Sequence, residues 1–254
     1  MHAKFFSLLA AAFKIASVAV AGPLPQSELT ARQAAAAPVP LRIMAAGASV
    51  TFGVGSSTGN SYRKDLLDLL QGPDANFTTA GQVTFVGAKK NGDFDQNAVE
   101  ATSGFVIKQI AAAVAKDVPQ LKPNLVLVDA GTNNCNKGGV VADAGAQVDA
   151  MLRDVFAKSP GVTVVMTNVL VNKIAKQDAC RVDENKQFDT VWQKLKDEGA
   201  KLVTVDMRSA AGPTTDDLFD TRHPNDAGYV KMANVFFSGI QEAAAKGFLT
   251  APAA

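Results

Sequence analysis

The chain contains the segment Leu125-Val126-Leu127-Val128-Asp129-Ala130, which is apolar at every position before Asp129. A strand that is apolar on both faces is typical of a parallel sheet covered by helices on both sides. The next residues are Gly131-Thr132-Asn133-Asn134, which combine a turn former with polar side chains. This region therefore predicts an α/β protein with polar groups at the carboxyl end of a central strand.

Apolar runs and helical patterns alternate on either side of this segment. Four further buried strands are predicted at Leu41–Ala46, Val83–Val86, Val162–Val169 and Leu202–Val205. Apolar residues spaced by three or four positions predict helices at Ser61–Leu70, Val106–Val114, Ala142–Phe156, Asn185–Glu198 and Asn225–Ala244. The pattern predicts a five-stranded parallel sheet between two helix layers, and such sheets bind ligands beyond the carboxyl ends of their strands.

Composition excludes several classes of protein. The chain has 254 residues, of which 47% are apolar and 19% are charged, a normal mixture for a globular protein. The formal net charge of +1 gives no electrostatic reason to expect a nucleic acid or an anionic membrane as partner. The two histidines are His2 and His223, and His2 lies in a segment that we expect to be removed. One histidine and two cysteines do not suffice for a zinc site of the usual kind, so we expect neither metal nor cofactor.

The N-terminal residues read as a targeting segment. Residues 1–21 have Lys4 near the start, an apolar stretch from Phe5 to Val20, and an Ala19-Val20-Ala21 cleavage site, as in a secretory signal peptide. The alternative is a membrane anchor, but the uninterrupted apolar pieces are too short to span a bilayer. Residues 22–40 are rich in Ala, Pro and Gln and suggest a pro-segment or linker. The sequence therefore predicts a secreted, extracellular protein with one folded domain at residues 41–250.

Export affects the interpretation of two further features. In an oxidising compartment Cys135 and Cys180 are expected to form a disulfide, with two free buried thiols as the alternative. Asn76-Phe77-Thr78 is the one N-glycosylation sequon of the chain, which predicts a surface loop around Asn76.

Three of the loops that follow predicted strands carry candidate functional groups. Ser49 follows the first strand and is either a nucleophile or a turn cap. Gly104 follows the second strand and would allow a backbone N–H to approach a ligand, unless it only completes a turn. Asn133 follows the third strand and either donates side-chain hydrogens into a cleft or caps a turn.

The loop after the fifth strand adds a candidate acid–base pair. Asp220 precedes His223 by three residues, a spacing at which the carboxylate can accept from imidazole Nδ1–H and leave Nε2 as a base. The alternative is a surface ion pair between Asp220 and Arg222 beside an idle histidine. With Ser49, Gly104 and Asn133 at the same sheet edge, these residues supply what acyl transfer requires: nucleophile, base, orienting group and oxyanion donors.

Four segments also resemble the conserved blocks of the SGNH (GDSL-type) hydrolases, most closely the carbohydrate esterase family 3 type that includes acetylxylan esterases. These segments are Gly47-Ala48-Ser49-Val50-Thr51-Phe52-Gly53, Ser103-Gly104-Phe105, Gly131-Thr132-Asn133-Asn134 and Asp220-Thr221-Arg222-His223-Pro224-Asn225. The resemblance implies a flavodoxin-like three-layer αβα sandwich. It also implies a metal-independent serine esterase that releases short acyl groups, often acetyl, from saccharides.

The resemblance also implies a role for each residue of the site. Ser49 matches the nucleophile, and its N–H matches one oxyanion donor. Gly104 N–H and the Asn133 side chain match the other two donors. His223 matches the general base and acid, and Asp220 the residue that orients it.

Five positions differ from the usual blocks. Ala48 stands where the family usually has Asp, and Asn134 likewise replaces an Asp. Ala101-Thr102 replaces the common Gly-His, and Phe105 replaces a Trp. These differences affect supporting groups and the cleft wall and leave the five matched residues in place.

We therefore expect a secreted serine esterase that acts on acetyl esters, as in the acetylated xylan of plant cell walls. Its partner is an acylated saccharide or a small ester, and the protein is expected to be a monomer. The alternatives are a general short-chain esterase or lipase-like hydrolase, and a non-catalytic secreted saccharide-binding protein on the same scaffold. A dinucleotide-binding site is disfavoured because the glycines at 53, 55 and 59 are one residue too far apart for the fingerprint. Ser49 also lacks the Gly-x-Ser-x-Gly elbow of the α/β-hydrolase lipases.

Overall fold

A computed structural model describes residues 38–253 of the chain. The strands in these residues are β1 (Val39–Gly47), β2 (Thr78–Val86), β3 (Lys89–Lys90), β4 (Ala98–Ala101), β5 (Leu125–Asp129), β6 (Thr163–Thr167) and β7 (Leu202–Val205). The α-helices are α1 (Ser49–Phe52), α2 (Arg63–Gln71), α3 (Ile107–Leu121), α4 (Ala144–Lys158), α5 (Ala175–Asp197) and α6 (Asp226–Ala245).

The five strands predicted from the sequence form a parallel sheet in the order β2-β1-β5-β6-β7. Counted among those five strands alone, the order is 2-1-3-4-5, which is that of flavodoxin-like folds. The predicted α/β class and parallel sheet are therefore confirmed.

The sheet also contains two short strands that the sequence pattern did not predict, which raises the number of strands from five to seven. β4 pairs in parallel with the last residues of β1, beyond the point where β2 stops, and β3 pairs antiparallel with β4. β3 is a pair of exposed lysines, so it has no apolar alternation that would identify it. As a result, the segment Thr102–Phe105 follows β4 and not β2 as expected.

Side chains that alternate along the central strands divide the core into two halves. From β1, Ile43 and Ala45 face one helix layer, whereas Met44 and Ala46 face the other. The first layer contains α2 and α6, and the second contains α3, α4 and α5. Because both faces of the sheet are covered, its strands are apolar throughout, as expected for parallel sheets.

The amino ends of the strands are held together by one buried amide, that of Asn124, which is 4% exposed. Its Oδ1 accepts from the Arg42 N–H at 2.7 Å. Its Nδ2 donates to the carbonyls of Pro40 at 2.8 Å and Thr250 at 2.7 Å. This side chain therefore joins β1, the start of β5 and the C-terminal segment at the edge of the sheet opposite the predicted site.

Most boundaries differ from the sequence-based expectation, three of them by five residues or more. β2 begins at Thr78 and not at Val83, and α3 ends at Leu121 and not at Val114. β1 begins at Val39 and not at Leu41. α5 begins at Ala175 and not at Asn185, because its first half buries Cys180, Arg181 and Glu184 and therefore lacks an apolar stripe. The predicted signal peptide and nearly all of the predicted linker lie outside the described residues. Among the helices of residues 38–253, none combines the length and the apolar character needed to cross a bilayer.

Candidate active site

Strand register brings three of the predicted loops together. Gly47, the last residue of β1, pairs with Ala101 of β4 on one side and with Asp129 of β5 on the other. The segments that contain Ser49, Gly104 and Asn133 therefore leave the sheet from adjacent positions. The short strand β4 is thus responsible for placing Gly104 beside the other two.

Ser49 is the first residue of α1 and is 5% exposed. The turn before it requires glycine, since a Cβ on Gly47 would lie 2.1 Å from Thr51 Oγ1 and 2.8 Å from the Asp129 carbonyl oxygen. Thr51 Oγ1 donates to Asp129 Oδ2 at 3.2 Å, and burial raises the pKa of Asp129 to about 6. These contacts hold the start of α1 tightly against the ends of β1 and β5.

His223 lies in a closed turn. Leu218 pairs with Pro224 in an antiparallel bridge, and Phe219 N–H donates to the His223 carbonyl at 2.8 Å. Lys173, in the segment after β6, anchors the turn through its Nζ to the Leu218 carbonyl at 3.0 Å. The backbone around His223 is therefore fixed from both sides.

The turn directs His223 at Ser49. His223 Nδ1 lies 2.7 Å from Asp220 Oδ2, and His223 Nε2 lies 2.9 Å from Ser49 Oγ. The His223 side chain is 13% exposed, so the imidazole is largely shielded from bulk water. The structure thus places the predicted nucleophile, base and orienting group in one continuous hydrogen-bonded chain.

Asp220 is equipped to stay charged in this arrangement. Partial burial alone would raise the pKa of its carboxyl group. Hydrogen bonds from the N–H groups of Arg222 and His223, and from the imidazole, outweigh that effect and lower the pKa to about 2. A permanently charged carboxylate at Nδ1 favours the tautomer that leaves Nε2 free to accept a proton.

Of the other two predicted oxyanion donors, Gly104 lies in an exposed turn and Asn133 is largely buried. Gly104 has φ +87°, and no atom lies within 4 Å of where its Cβ would be. Asn133 Nδ2 donates one hydrogen to the Phe105 carbonyl at 2.9 Å and retains a second hydrogen. Ser49 N–H, at the start of α1, has no acceptor within that helix. Within the described residues no loop or turn hydrogen bond uses the N–H of Gly104 or of Ser49, so each of the three groups has a hydrogen available for a ligand.

The positions that depart from the family pattern have structural roles. Asn134 Oδ1 accepts from Ile107 N–H at 3.0 Å and so ties the loop after β5 to the start of α3. Ala48 is 5% exposed and packs in the core half that faces α3, α4 and α5. Phe105 packs at the edge of the same half, with Lys89 Nζ 6.0 Å from its ring centre.

The structure contains the predicted disulfide between Cys135 and Cys180, with a Cα–Cα distance of 5.6 Å. It joins the loop after Asn133 to α5. In the described part of the chain Glu184 approaches both sulfurs closely enough for a three-residue metal site, but the disulfide leaves no free thiolate there. Asn76 is exposed in the turn between α2 and β2, an accessible position for the predicted glycan.

Sequence reasoning missed two residues beside the site. The sequence alternative pairs Arg222 with Asp220, but in the structure the Arg222 guanidinium donates to Asn136 Oδ1. Asn136 in turn donates from Nδ2 to Asn133 Oδ1 at 3.0 Å. No periodicity or spacing in the chain indicates these contacts, because they join loops that are distant in sequence.

Comparisons with known proteins agree with this architecture. The fold resembles a family 3 carbohydrate esterase of Clostridium thermocellum, with a TM-score of 0.69 and 22% identity over 83% of this chain and 99% of the other. It also resembles a carbohydrate esterase family 3 protein of Talaromyces cellulolyticus, with a TM-score of 0.68 and 24% identity over 81% and 99% of the two chains. An acetyl xylan esterase of Geobacillus stearothermophilus matches with a TM-score of 0.57 and 18% identity over 80% and 95%. At these identities the likeness establishes the fold.

A comparison with proteins of curated description finds no match. The fold and the Ser–His–Asp arrangement define the class: the protein is a carboxylic ester hydrolase. The model of the GDSL-like Lipase/Acylhydrolase family matches residues 45–231, most of the chain. The chain belongs to that family, and the resemblance drawn from its four sequence blocks is confirmed.

Proposed function

We propose that the protein removes short acyl groups, chiefly acetyl, from saccharides, with Ser49 as nucleophile, His223 as general base and acid, and Asp220 as the orienting carboxylate. The observation that carries this proposal is the 2.9 Å contact between Ser49 Oγ and His223 Nε2, continued to Asp220 through Nδ1. A separation near 3 Å is within hydrogen-bond reach for proton transfer from the nucleophile to the base.

The reaction follows from this geometry in two halves. His223 Nε2 takes the proton of Ser49 Oγ as the oxygen attacks the ester carbonyl, and the protonated imidazole then returns that proton to the departing sugar oxygen. A water molecule next gives a proton to His223 and attacks the acyl–Ser49 ester. The serine recovers its proton from His223 as the carboxylic acid leaves. Asp220 stays charged throughout and stabilises the imidazolium.

The oxyanion that forms in each half is assigned to three donors. These are the N–H of Ser49, the N–H of Gly104 and the Nδ2 of Asn133, each with a hydrogen free for a ligand as described above. Removal of one such donor typically lowers kcat about 10²–10³-fold, so the three together supply much of the rate acceleration.

A saccharide as the alcohol part of the substrate is supported by the surface beside the site. Phe219 is 69% exposed although it directly precedes Asp220. Its Cβ lies 3.2 Å, and that of His223 3.3 Å, from the position that a Cβ on Gly55 would take, so both side chains leave the turn on the same side. An exposed aromatic ring offers an apolar face to a sugar ring. The carbohydrate esterase names of the structural relatives agree with this assignment.

The experiment that tests the proposal is hydrolysis of 4-nitrophenyl acetate, butyrate and octanoate, and of acetylated xylan, by the wild type and Ser49→Ala. We expect turnover that is fastest with acetate, acetic acid release from the xylan, and a loss of about 10⁶-fold in kcat in Ser49→Ala. Ser238→Ala removes an exposed hydroxyl on α6 and serves as the matched control.

The possible results separate the candidate functions. Turnover that survives in Ser49→Ala would contradict the serine mechanism. Hydrolysis of the nitrophenyl esters without release from xylan would indicate a general short-chain esterase. Binding of xylan by a folded wild type that cleaves none of the esters would indicate a saccharide-binding protein.

We further propose that the protein is exported, loses residues 1–21, and acts outside the cell as a monomer with a folded domain that follows the linker at 22–40. The disulfide supports export, because such bonds persist in oxidising compartments. N-terminal sequencing of the protein from culture medium tests the cleavage after Ala21, and glycosidase treatment tests a glycan on Asn76.

A further inference from the structure

The amide of Asn133 can serve an oxyanion only in one of its two orientations. Its Nδ2 must face the cleft, and its Oδ1 must face away, because an oxygen in the cleft would repel the developing negative charge. The Phe105 carbonyl helps to select this orientation by accepting one Nδ2 hydrogen at 2.9 Å. What holds Oδ1 is therefore as important as what Nδ2 contacts.

The Asn133 Oδ1 is held by Asn136. Asn136 Nδ2 donates to Asn133 Oδ1 at 3.0 Å, which only the observed orientation of Asn133 can accept. The Asn136 backbone is also fixed, because its carbonyl accepts from Gln177 Nε2 at 2.7 Å. Its N–H donates to the Asn133 carbonyl at 3.3 Å. The donor to Oδ1 is thus itself held in place.

The orientation of Asn136 depends on the turn that carries His223. Arg222 Nη1 donates to Asn136 Oδ1, so Asn136 must point its Nδ2 toward Asn133. Arg222 N–H donates to Asp220 Oδ1 at 2.8 Å, which ties the same residue to the carboxylate that orients His223. The side chains of Arg222, Asn136 and Asn133 therefore form one hydrogen-bonded relay between the two halves of the site.

We propose that Asn136 is a positioning residue that holds the Asn133 amide in the orientation that donates to an oxyanion. Arg222, from the turn that carries His223, holds the Asn136 amide in the orientation that this requires. This inference rests on the proposed function, since it takes Asn133 as an oxyanion donor. Asn136 itself does not touch the reacting atoms and acts through Asn133.

Asn136→Asp is the most informative substitution. The aspartate keeps the size and the acceptor for Arg222 but has no hydrogen to donate, so its carboxylate faces Asn133 Oδ1 and favours the flipped amide. Because Asn136 lies at the surface, the substitution does not disturb the core. We expect kcat for 4-nitrophenyl acetate to fall by about 10- to 100-fold with little change in KM, since the loss affects the transition state alone.

A double-mutant cycle distinguishes a positioning role from a general structural one. In an Asn133→Ala background there is no amide to orient, so Asn136→Asp is expected to cause no further loss of kcat. Arg222→Met tests the other end of the relay and is expected to lower kcat about threefold to tenfold, less than Asn136→Asp. Asn234→Ala, which removes an exposed amide on α6, is the control.

The results are decisive in either direction. A lower kcat, an unchanged KM, an unchanged Tm and no additivity with Asn133→Ala would support the relay. A kcat within twofold of the wild type, or losses that multiply in the double variant, would overturn it. An inactive wild type would overturn the proposed function, whereas an active wild type with an unaffected Asn136→Asp variant would overturn the relay alone.

Discussion

At the scale of single residues, the carboxyl group of Glu184 is buried near the site without hydrogen-bond partners among the described residues. Its side chain is fully buried, and neither carboxylate oxygen has a hydrogen-bond partner within residues 38–253. One oxygen lies 3.2 Å from where a Cβ on Gly131 would be, directly beneath the loop that carries Asn133. Burial raises the pKa of Glu184 to about 8, although Arg181 opposes the rise and Asp183 adds to it. We therefore expect Glu184 to be protonated at neutral pH.

A protonated Glu184 has a consequence for stability. Above its ordinary pKa of 4.5 the unfolded chain releases this proton, whereas the folded protein retains it until about pH 8. The free energy of unfolding therefore falls as pH rises through this window and then levels off. Glu184→Gln has no proton to lose at this position. The Tm of the variant is therefore expected to rise relative to that of the wild type as the pH increases from 5 to 8.

Thermal unfolding of both proteins across that range checks this prediction, with the exposed Glu242→Gln as the control for loss of a surface carboxylate. A difference in Tm between Glu184→Gln and the wild type that stays constant from pH 5 to pH 9 would show that Glu184 titrates normally.

The residue scale also shows what a sequence can and cannot predict of a site. Ser49, Gly104, Asn133, Asp220 and His223 were predicted because they lie in loops at one edge of the sheet and match family blocks. The amides and guanidinium that orient them were not. The contact between Asn136 and Arg222 depends on side-chain directions in two loops 86 residues apart, which no local pattern specifies.

At the scale of elements, the sequence predicted the strands and helices whose buried apolar residues form a continuous run or recur at a regular spacing. β5 is buried at all five positions and was recognisable at once. β3 has two exposed residues, and β4 has only four residues, three of them buried. Both strands form beyond the end of β2, where the last residues of β1 are free to pair with β4. The first half of α5 was missed for a related reason, because it buries polar side chains that do not repeat with helical spacing.

The disulfide is an element-scale device, since it ties the loop after β5 to that first half of α5. It closes 45 residues of chain, for which the chain-entropy model gives about 4 kcal/mol of stabilisation. We expect the double variant Cys135→Ser/Cys180→Ser to lose a comparable amount of unfolding free energy. Its kcat should also fall, because Cys135 lies between Asn133 and Asn136 in the loop.

Urea unfolding and 4-nitrophenyl acetate kinetics of the double variant check both parts of this prediction. Both sulfurs are buried, so substitution tests the bond more reliably than added reductant. Equal activity and equal stability in the variant would show that the disulfide has no role in holding the loop that carries Asn133.

At the scale of the whole molecule, the carboxyl ends and the amino ends of the strands have separate roles. The carboxyl edge carries the site, whereas Asn124 joins β1, β5 and the C-terminal segment at the amino edge. Asn124→Ala removes the side-chain partner of one N–H and of two carbonyls, all in partly buried hydrogen bonds. We expect a loss of about 3 kcal/mol, or about 10 °C in Tm for a domain of this size, with kcat unchanged at 25 °C.

Calorimetry together with ester kinetics at 25 °C tests this separation. Asn234→Ala is again the control, because it removes an exposed amide whose hydrogen bond stays within α6. A large loss of kcat in folded Asn124→Ala would mean that the two edges of the sheet are coupled.

The spacing of Ser49, Asp220 and His223 along the chain affects when activity returns during refolding. Asp220 and His223 share one short closed turn, so their contact can form early in folding, as local contacts do. Ser49 is 174 residues from His223. The two residues come into contact only when β1 has joined the sheet and α6 has packed against it. During refolding we therefore expect ester hydrolysis to return last, after fluorescence and circular dichroism have reached their native values. The return of enzymatic activity then reports the last step in the assembly of the domain.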